Sequence, residues 1–145
     1  MAKDWTFKNN SKHAKKAIME AALFGLEKAA NLVEGRSKAG TPVRYGELRD
    51  TQGHAVEVTR GNPEAIIGSP LDYSIYVEKG TGEFATNGMG RKGGWSYKNE
   101  AGDWVHTKGQ KPQPFLEPAF KSSRKDIQRI LSETYRDRFQ NPEGG

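Results

Sequence analysis

The chain has 145 residues, one domain by size, with 23 Lys and Arg against 18 Asp and Glu and a formal net charge of +5. The two signs are interleaved, the mark of a solvated surface and not of a gathered nucleic-acid footprint. Cysteine is absent, which excludes disulfides, thiol catalysis and the usual structural zinc ligands. Leu, Ile, Val and Phe total 25 residues, under the roughly 20% at which disorder begins to be suspected. The low net charge and the aromatic content argue against full disorder. The expectation is a folded domain with a thin core and long loops, stabilised by neighbours in an assembly. No apolar run near Met1 has signal-peptide length and no stretch approaches a membrane span. A protein made and kept in the cytosol, or in something assembled there, with no membrane partner is therefore expected.

In chain order, residues 1–10 read as a flexible arm carrying two aromatic anchors, Trp5 and Phe7. From Ser11 to about Arg36 the periodicity predicts a helix, with Ile18, Ala22, Gly25, Leu26, Ala29, Leu32 and Val33 on one face. That face is largely Ala, so its neighbour must approach closely. Phe24 projects to the opposite, polar face, either incidentally or as a subunit contact. Ser37–Gly46 carries turn chemistry. Leu48 then leads into a strand region whose alternation is clearest over Ala55–Thr59. Gly61-Asn62-Pro63 turns the chain, and Ala65–Gly68 returns antiparallel.

Tyr73–Val77 fits either a buried strand or one or two turns of helix; Asp72 as an N-cap favours the helix. Glycines at 80, 82, 88, 90, 93 and 94 make 83–94 a long, mobile loop. Trp95–Lys98 and Trp104–Thr107 flank residues 99–103 as a β-hairpin, with an aromatic on each arm to cross-pair. Glu117-Pro118 opens a last helix to about Phe139, burying Phe120, Ile127, Ile130, Leu131 and Tyr135. Residues 140–145 form a disordered tail. The predicted class is α+β over residues 11–139: one antiparallel β-sheet packed by long N-terminal and C-terminal helices, with a Gly-rich loop and an aromatic hairpin.

Catalytic signals are weak. Gly88-Met89-Gly90-Arg91-Lys92-Gly93 spells G-x-G-x-x-G, but a polar loop precedes it and a Trp-containing strand follows, so it reads as a glycine loop and no cofactor is expected. His13, His54 and His106 lack metal-site spacing. Glu78 with Glu83 or Glu117 has no apolar or His neighbour to tune an acid/base pair. No catalytic residue is assigned, and the expectation is a non-enzymatic protein. Arg91, Lys92, Lys98, Lys108 and Lys111 beside Trp95, Tyr97 and Trp104 are the best nucleic-acid candidate.

Four stretches in order resemble the head–tail joining, or tail-completion, family of long-tailed bacteriophages. After the first helix come Thr41-Pro42-Val43, Gly46, Leu48-Arg49 and Thr51, similar to that family's T-P-V-x-x-G-x-L-R-x-S run. Tyr73 and Tyr76-Val77-Glu78-Lys79-Gly80-Thr81-Gly82 resemble its Y-A-x-Y-V-E-x-G-T signature, with Ser74 where Ala is usual. A Gly-rich loop and an aromatic hairpin follow. Pro114-Phe115-Leu116-Glu117-Pro118-Ala119 is similar to its P-F-L-x-P-A segment.

The resemblance implies a structural protein of the virion neck, assembled as a ring, six copies being the expectation, between head connector and tail tube. Its partners would be further copies of itself, the head connector or stopper protein, and the tail tube or tail-terminator protein, with non-specific contact with passing DNA left open. Within the motifs, Gly80 and Gly82 are expected to turn the chain sharply, Glu78 to cap backbone amides or pair with a cation, and Phe115 and Leu116 to plug a sheet–helix core. Candidate contacts to neighbours are Trp5, Phe7, Phe24, Phe84, Met89, Arg91 and Lys92. The alternative is a small basic nucleic-acid-binding module using the aromatic hairpin, residues 91–111.

Overall fold

Helix α1, Ser11–Gly40, is the spine of the molecule, and its small residues decide what lies against it. The computed structural model describes residues 11–140; the proposed anchors Trp5 and Phe7 and the end of the proposed tail lie outside them. Ala21, Ala22, Gly25, Ala29, Ala30, Val33 and Ser37 are buried along α1. Helix α4, Leu116–Gln140, runs antiparallel beside it and buries Ala119, Ser123 and Thr134. At Gly25 an added Cβ would stand 2.9 Å from Leu131 Cδ2, so the two helices meet there almost backbone to side chain. Arg36 ties the other end of the pair: its guanidinium meets Asp126 at 2.7 Å and donates to Ser123 Oγ at 2.9 Å.

Two sequence expectations fail on this helix pair. Phe120 is exposed, while Ile127, Ile130, Leu131 and Tyr135 are only half-buried, because close approach over Ala and Gly admits small side chains and pushes large ones to the flanks. Ile18, expected on the buried face, is exposed as well.

Strands β1, Gly53–Thr59, and β2, Asn62–Gly68, pair antiparallel from Gly53↔Gly68 to Thr59↔Asn62 and rest on α1. The turn between them is Arg60-Gly61, both at positive φ (53° and 79°), the left-handed pair of a two-residue hairpin. β2 thus begins at Asn62, earlier than expected; Pro63 is tolerated because each strand of a two-stranded sheet is an edge. Leu48 does not lead into a strand. It is fully buried in a short helix α2, Gly46–Thr51, after a single 3₁₀ turn over Val43–Tyr45.

The Tyr73–Val77 run is helical: α3 spans Ser74–Lys79, with Tyr73 and not Asp72 at the N-cap and no side-chain cap bond. The second hairpin, β3 Trp95–Lys98 and β4 Trp104–Thr107, is a separate two-stranded sheet. Its register sets Tyr97 opposite Val105 and Lys98 opposite Trp104, so the aromatics of the two arms do not cross-pair. Trp95 and Trp104 fall on opposite faces, since side chains alternate along a strand. The fold is α+β. α1 covers the first hairpin, and α4 packs chiefly on α1. No helix among the described residues is long and apolar enough to cross a membrane.

Candidate functional site

The two motif segments, 37 residues apart between Glu78 and Phe115, meet at one carboxylate. Glu78 is buried near the end of α3. Its Oε2 accepts from the backbone N–H of Phe115 at 2.8 Å and of Leu116 at 3.0 Å; its Oε1 accepts from Glu117 N–H at 2.9 Å. A helix leaves its first four N–H groups without internal partners. Here three of them are satisfied by one side chain from another helix, and Pro118 supplies no N–H in the same turn. The negative charge also stands at the positive end of the α4 dipole.

Below this cap lies the small core. Phe115, 1% exposed, packs with Leu48 of α2 and Val77 of α3, with Tyr45, Leu71 and Leu116 around them. Phe115 and Leu116 therefore fill a core between helices, and the expected sheet–helix placement is corrected. The sheet is held elsewhere, by α1.

Beyond α3 the chain turns at Gly80 (φ 78°), whose N–H closes on Tyr76 O at 2.9 Å. Residues 81–83 then lie along 108–110: Thr81 N–H donates to Gln110 O and Glu83 N–H to Lys108 O, both at 2.9 Å, while Gln110 N–H donates to Thr81 Oγ1 at 2.8 Å. A Cβ at Gly80 would stand 2.8 Å from Phe84 O and 2.9 Å from Pro112 Cδ. Gly82 (φ 60°) is similarly pressed against the backbone of Lys108 and Gly109. Gln113 N–H donates to Val77 O at 2.8 Å. The Y-V-E-K-G-T-G and P-F-L-E-P-A segments are thus one structural unit.

The remaining motif residues flank it. Tyr73 stacks obliquely on Tyr45 at 6.2 Å; Tyr76 is exposed, as are Pro114 and Pro118, and Ala119 is buried. The candidate contacts divide into two groups. Phe84, Met89, Arg91 and Lys92 share the 83–94 loop, with Met89 86% exposed. A 3₁₀ turn over Gly82–Phe84 begins this segment, and Glu83 Oε1 accepts from Gly93 N–H at 3.0 Å. Arg91 lies over Trp95 at 6.0 Å and Lys98 over Trp104 at 5.6 Å. Phe24 stands apart, exposed between Lys28 and Arg138. Arg138 is near the far end of α4, ~30 Å from the Glu78 cap at ~1.5 Å per residue.

Two polar clusters were not anticipated. His54 on β1 bridges two glutamates of α1, its Nε2 2.6 Å from Glu27 Oε1 and its Nδ1 against Glu34 Oε2. Hydrogen bonding to Glu27 first, and to Glu34, raises the imidazole above its usual pKa. Lys38, then His54, holds Glu34 below the usual carboxylate value. The available signal was the seven-residue spacing of Glu27 and Glu34, which places them on one helix face. The second cluster is buried: Ser37 Oγ donates to Gln52 Oε1, Gln52 Nε2 to Thr41 Oγ1, and Thr41 Oγ1 to Ser37 O. It gives Thr41 of the T-P-V run a structural task. Among the described residues no His, Cys, Asp and Glu group forms a metal cluster.

A family model described as "Bacteriophage HK97-gp10, putative tail-component" matches residues 6–80. None of the curated proteins and none of the solved structures matches the chain. The matched stretch takes in the T-P-V run, the first hairpin and α3 up to the Gly80 turn, just over half of the sequence; the chain belongs to the HK97-gp10-like family of bacteriophage tail components.

Proposed function

We propose that this protein joins head to tail in a long-tailed bacteriophage, acting as a hexameric, non-enzymatic ring in the virion neck. One face of the ring meets the head connector or stopper, the other the tail tube or terminator. The family match over residues 6–80 carries the reading. A small core with many exposed apolar side chains supports it, because such a surface gains stability from neighbours. The test is electron microscopy of particles from a phage with an amber stop in this gene. Filled heads and separate tails are expected, and added purified protein should restore joining. Normally joined particles, or heads without DNA, would overturn it.

A second reading, a nucleic-acid module, has one observation in its favour: Trp104 is 70% exposed with Lys98 over its ring. Base stacking plus phosphate contact on this hairpin would give DNA affinity that falls steeply with salt. Affinity unaffected by Trp104→Ala would remove this reading.

A further inference from the structure

We propose that the outer face of the β1–β2 hairpin of one copy docks into a groove beside α4 of the next copy, making the head-to-tail contact of the ring. The proposal rests on the assembly reading above and names its two surfaces. Glu57 and Glu64 are direct cross-strand partners, both exposed, and neither has a cation partner among the described residues. Like charges placed opposite each other on a sheet destabilise it unless a countercharge arrives. Ile66, on the same face by strand alternation, is half exposed. This face is acidic with an apolar centre.

The groove has the complementary character. It is an open groove of about 640 Å³ with Phe120 and Ile127 in its lining, where the cations Lys79, Lys121 and Arg124 outnumber the carboxylates Glu78 and Glu117. Lys121 is paired with Glu117 at 2.9 Å and Lys79 also acts on that carboxylate through its charge, whereas Arg124 has no carboxylate within ion-pair distance among the described residues. Phe120 is the side chain that close α1–α4 packing leaves exposed. A cation-rich groove with exposed aromatic surface, Arg124 its unpaired charge, thus matches two unpaired glutamates beside an exposed isoleucine.

The layering keeps the two surfaces apart within one copy. On α1, Gly25 faces α4, while Glu27 and Glu34, which hold the hairpin through His54, project roughly half a turn away at ~100° per residue. With α1 between them, the complementary surfaces meet only between copies. A contact joining unlike surfaces repeats from copy to copy, closing as a ring when the rotation per copy divides a full turn and growing as a filament when it does not.

Disulfide capture tests the contact directly, because the chain has no cysteine of its own. Full-length Ile66→Cys and Phe120→Cys proteins are mixed and oxidised, as purified chains and within assembled particles. A 66–120 heterodimer about tenfold over the 66–66 and 120–120 species is expected. No such excess in either setting overturns the proposal. Charge exchange adds an independent arm in the amber phage. Glu57→Lys/Glu64→Lys and Lys79→Glu/Arg124→Glu should each lower joined particles about tenfold, and their co-expression should recover most of them, since each altered surface then meets its complement. Full joining by either variant alone overturns the contact while leaving the joining role intact. Failure of the wild-type chain to restore joining removes the joining role, and the disulfide result still decides the contact. Loss of DNA binding in the groove variant without 66–120 capture assigns the groove to phosphate and overturns the proposal.

Discussion

Glu78 Oε2 lies 2.8 Å from the backbone nitrogen of Phe115, so the last turn of α3 caps the first turn of α4. Truncation to Ala would leave three helix N–H groups without this acceptor next to the small core. A loss of roughly 2–4 kcal/mol is expected, from charged hydrogen bonds and the cap together. Glu78→Gln, with one acceptor oxygen in place of two, should lose less. Urea unfolding followed by far-UV circular dichroism checks both, and equal stability of Glu78→Ala and wild type would refute the capping role.

Gly80 and Gly82 are held at positive φ with the 108–112 backbone within contact distance of any Cβ. Gly80→Ala and Gly82→Ala should each cost at least about 2 kcal/mol, from the left-handed backbone plus displaced neighbours. Gly93→Ala also has positive φ (81°) but open space around it, and should cost only about 1 kcal/mol. Thermal melts of the three variants give the ranking.

The α1–α4 crossing predicts a steep dependence on side-chain size at residue 25. Gly25→Ala gains helix propensity of about 1 kcal/mol but must displace Leu131 Cδ2, so its net effect should be near zero. Gly25→Leu should destabilise by about 1–3 kcal/mol through overpacking. Calorimetry that found Gly25→Leu as stable as wild type would show that the helices do not meet there.

The His54 bridge sets the pH range in which the first hairpin is held most firmly. His54 is raised above its ordinary 6.5, so its contribution is complete below that value and is lost as pH rises through the folded pKa. Glu34 is lowered below its ordinary 4.5, so its contribution is present above 4.5 and is lost as pH falls through the folded pKa. Both are complete between about pH 4.5 and 6.5. Melting temperature across pH 3–9 should therefore decline on either side of this window, and His54→Ala should flatten the alkaline decline. An alkaline limb unchanged by His54→Ala would show that another group causes it.

Helix α1, the two hairpins and α4 were legible because each carries a local signal: a 3.6-residue apolar period, period-two alternation next to glycine turns, or Glu-Pro at a helix start. Burial was less legible. Periodicity along α4 marks Phe120 as apolar and in register, but not that an Ala- and Gly-lined partner would leave it at the edge. Leu48 sits in a single helical turn too short for any period to reveal. The hairpin register, which parts Trp95 from Trp104, depends on the residue count between the strands and not on aromatic preference.

By itself, the sequence determined the helical spine, the turning glycines and the two motif segments, because these depend on residues near one another in the chain. Only the tertiary structure decided that Glu78 caps α4, that His54 joins Glu27 to Glu34, and that Phe115 packs with Leu48 and Val77. Each of these brings together groups at least 20 residues apart in sequence. A buried carboxylate, a bridging imidazole and a packed ring take their roles from what the fold sets beside them, and no local pattern encodes that neighbour.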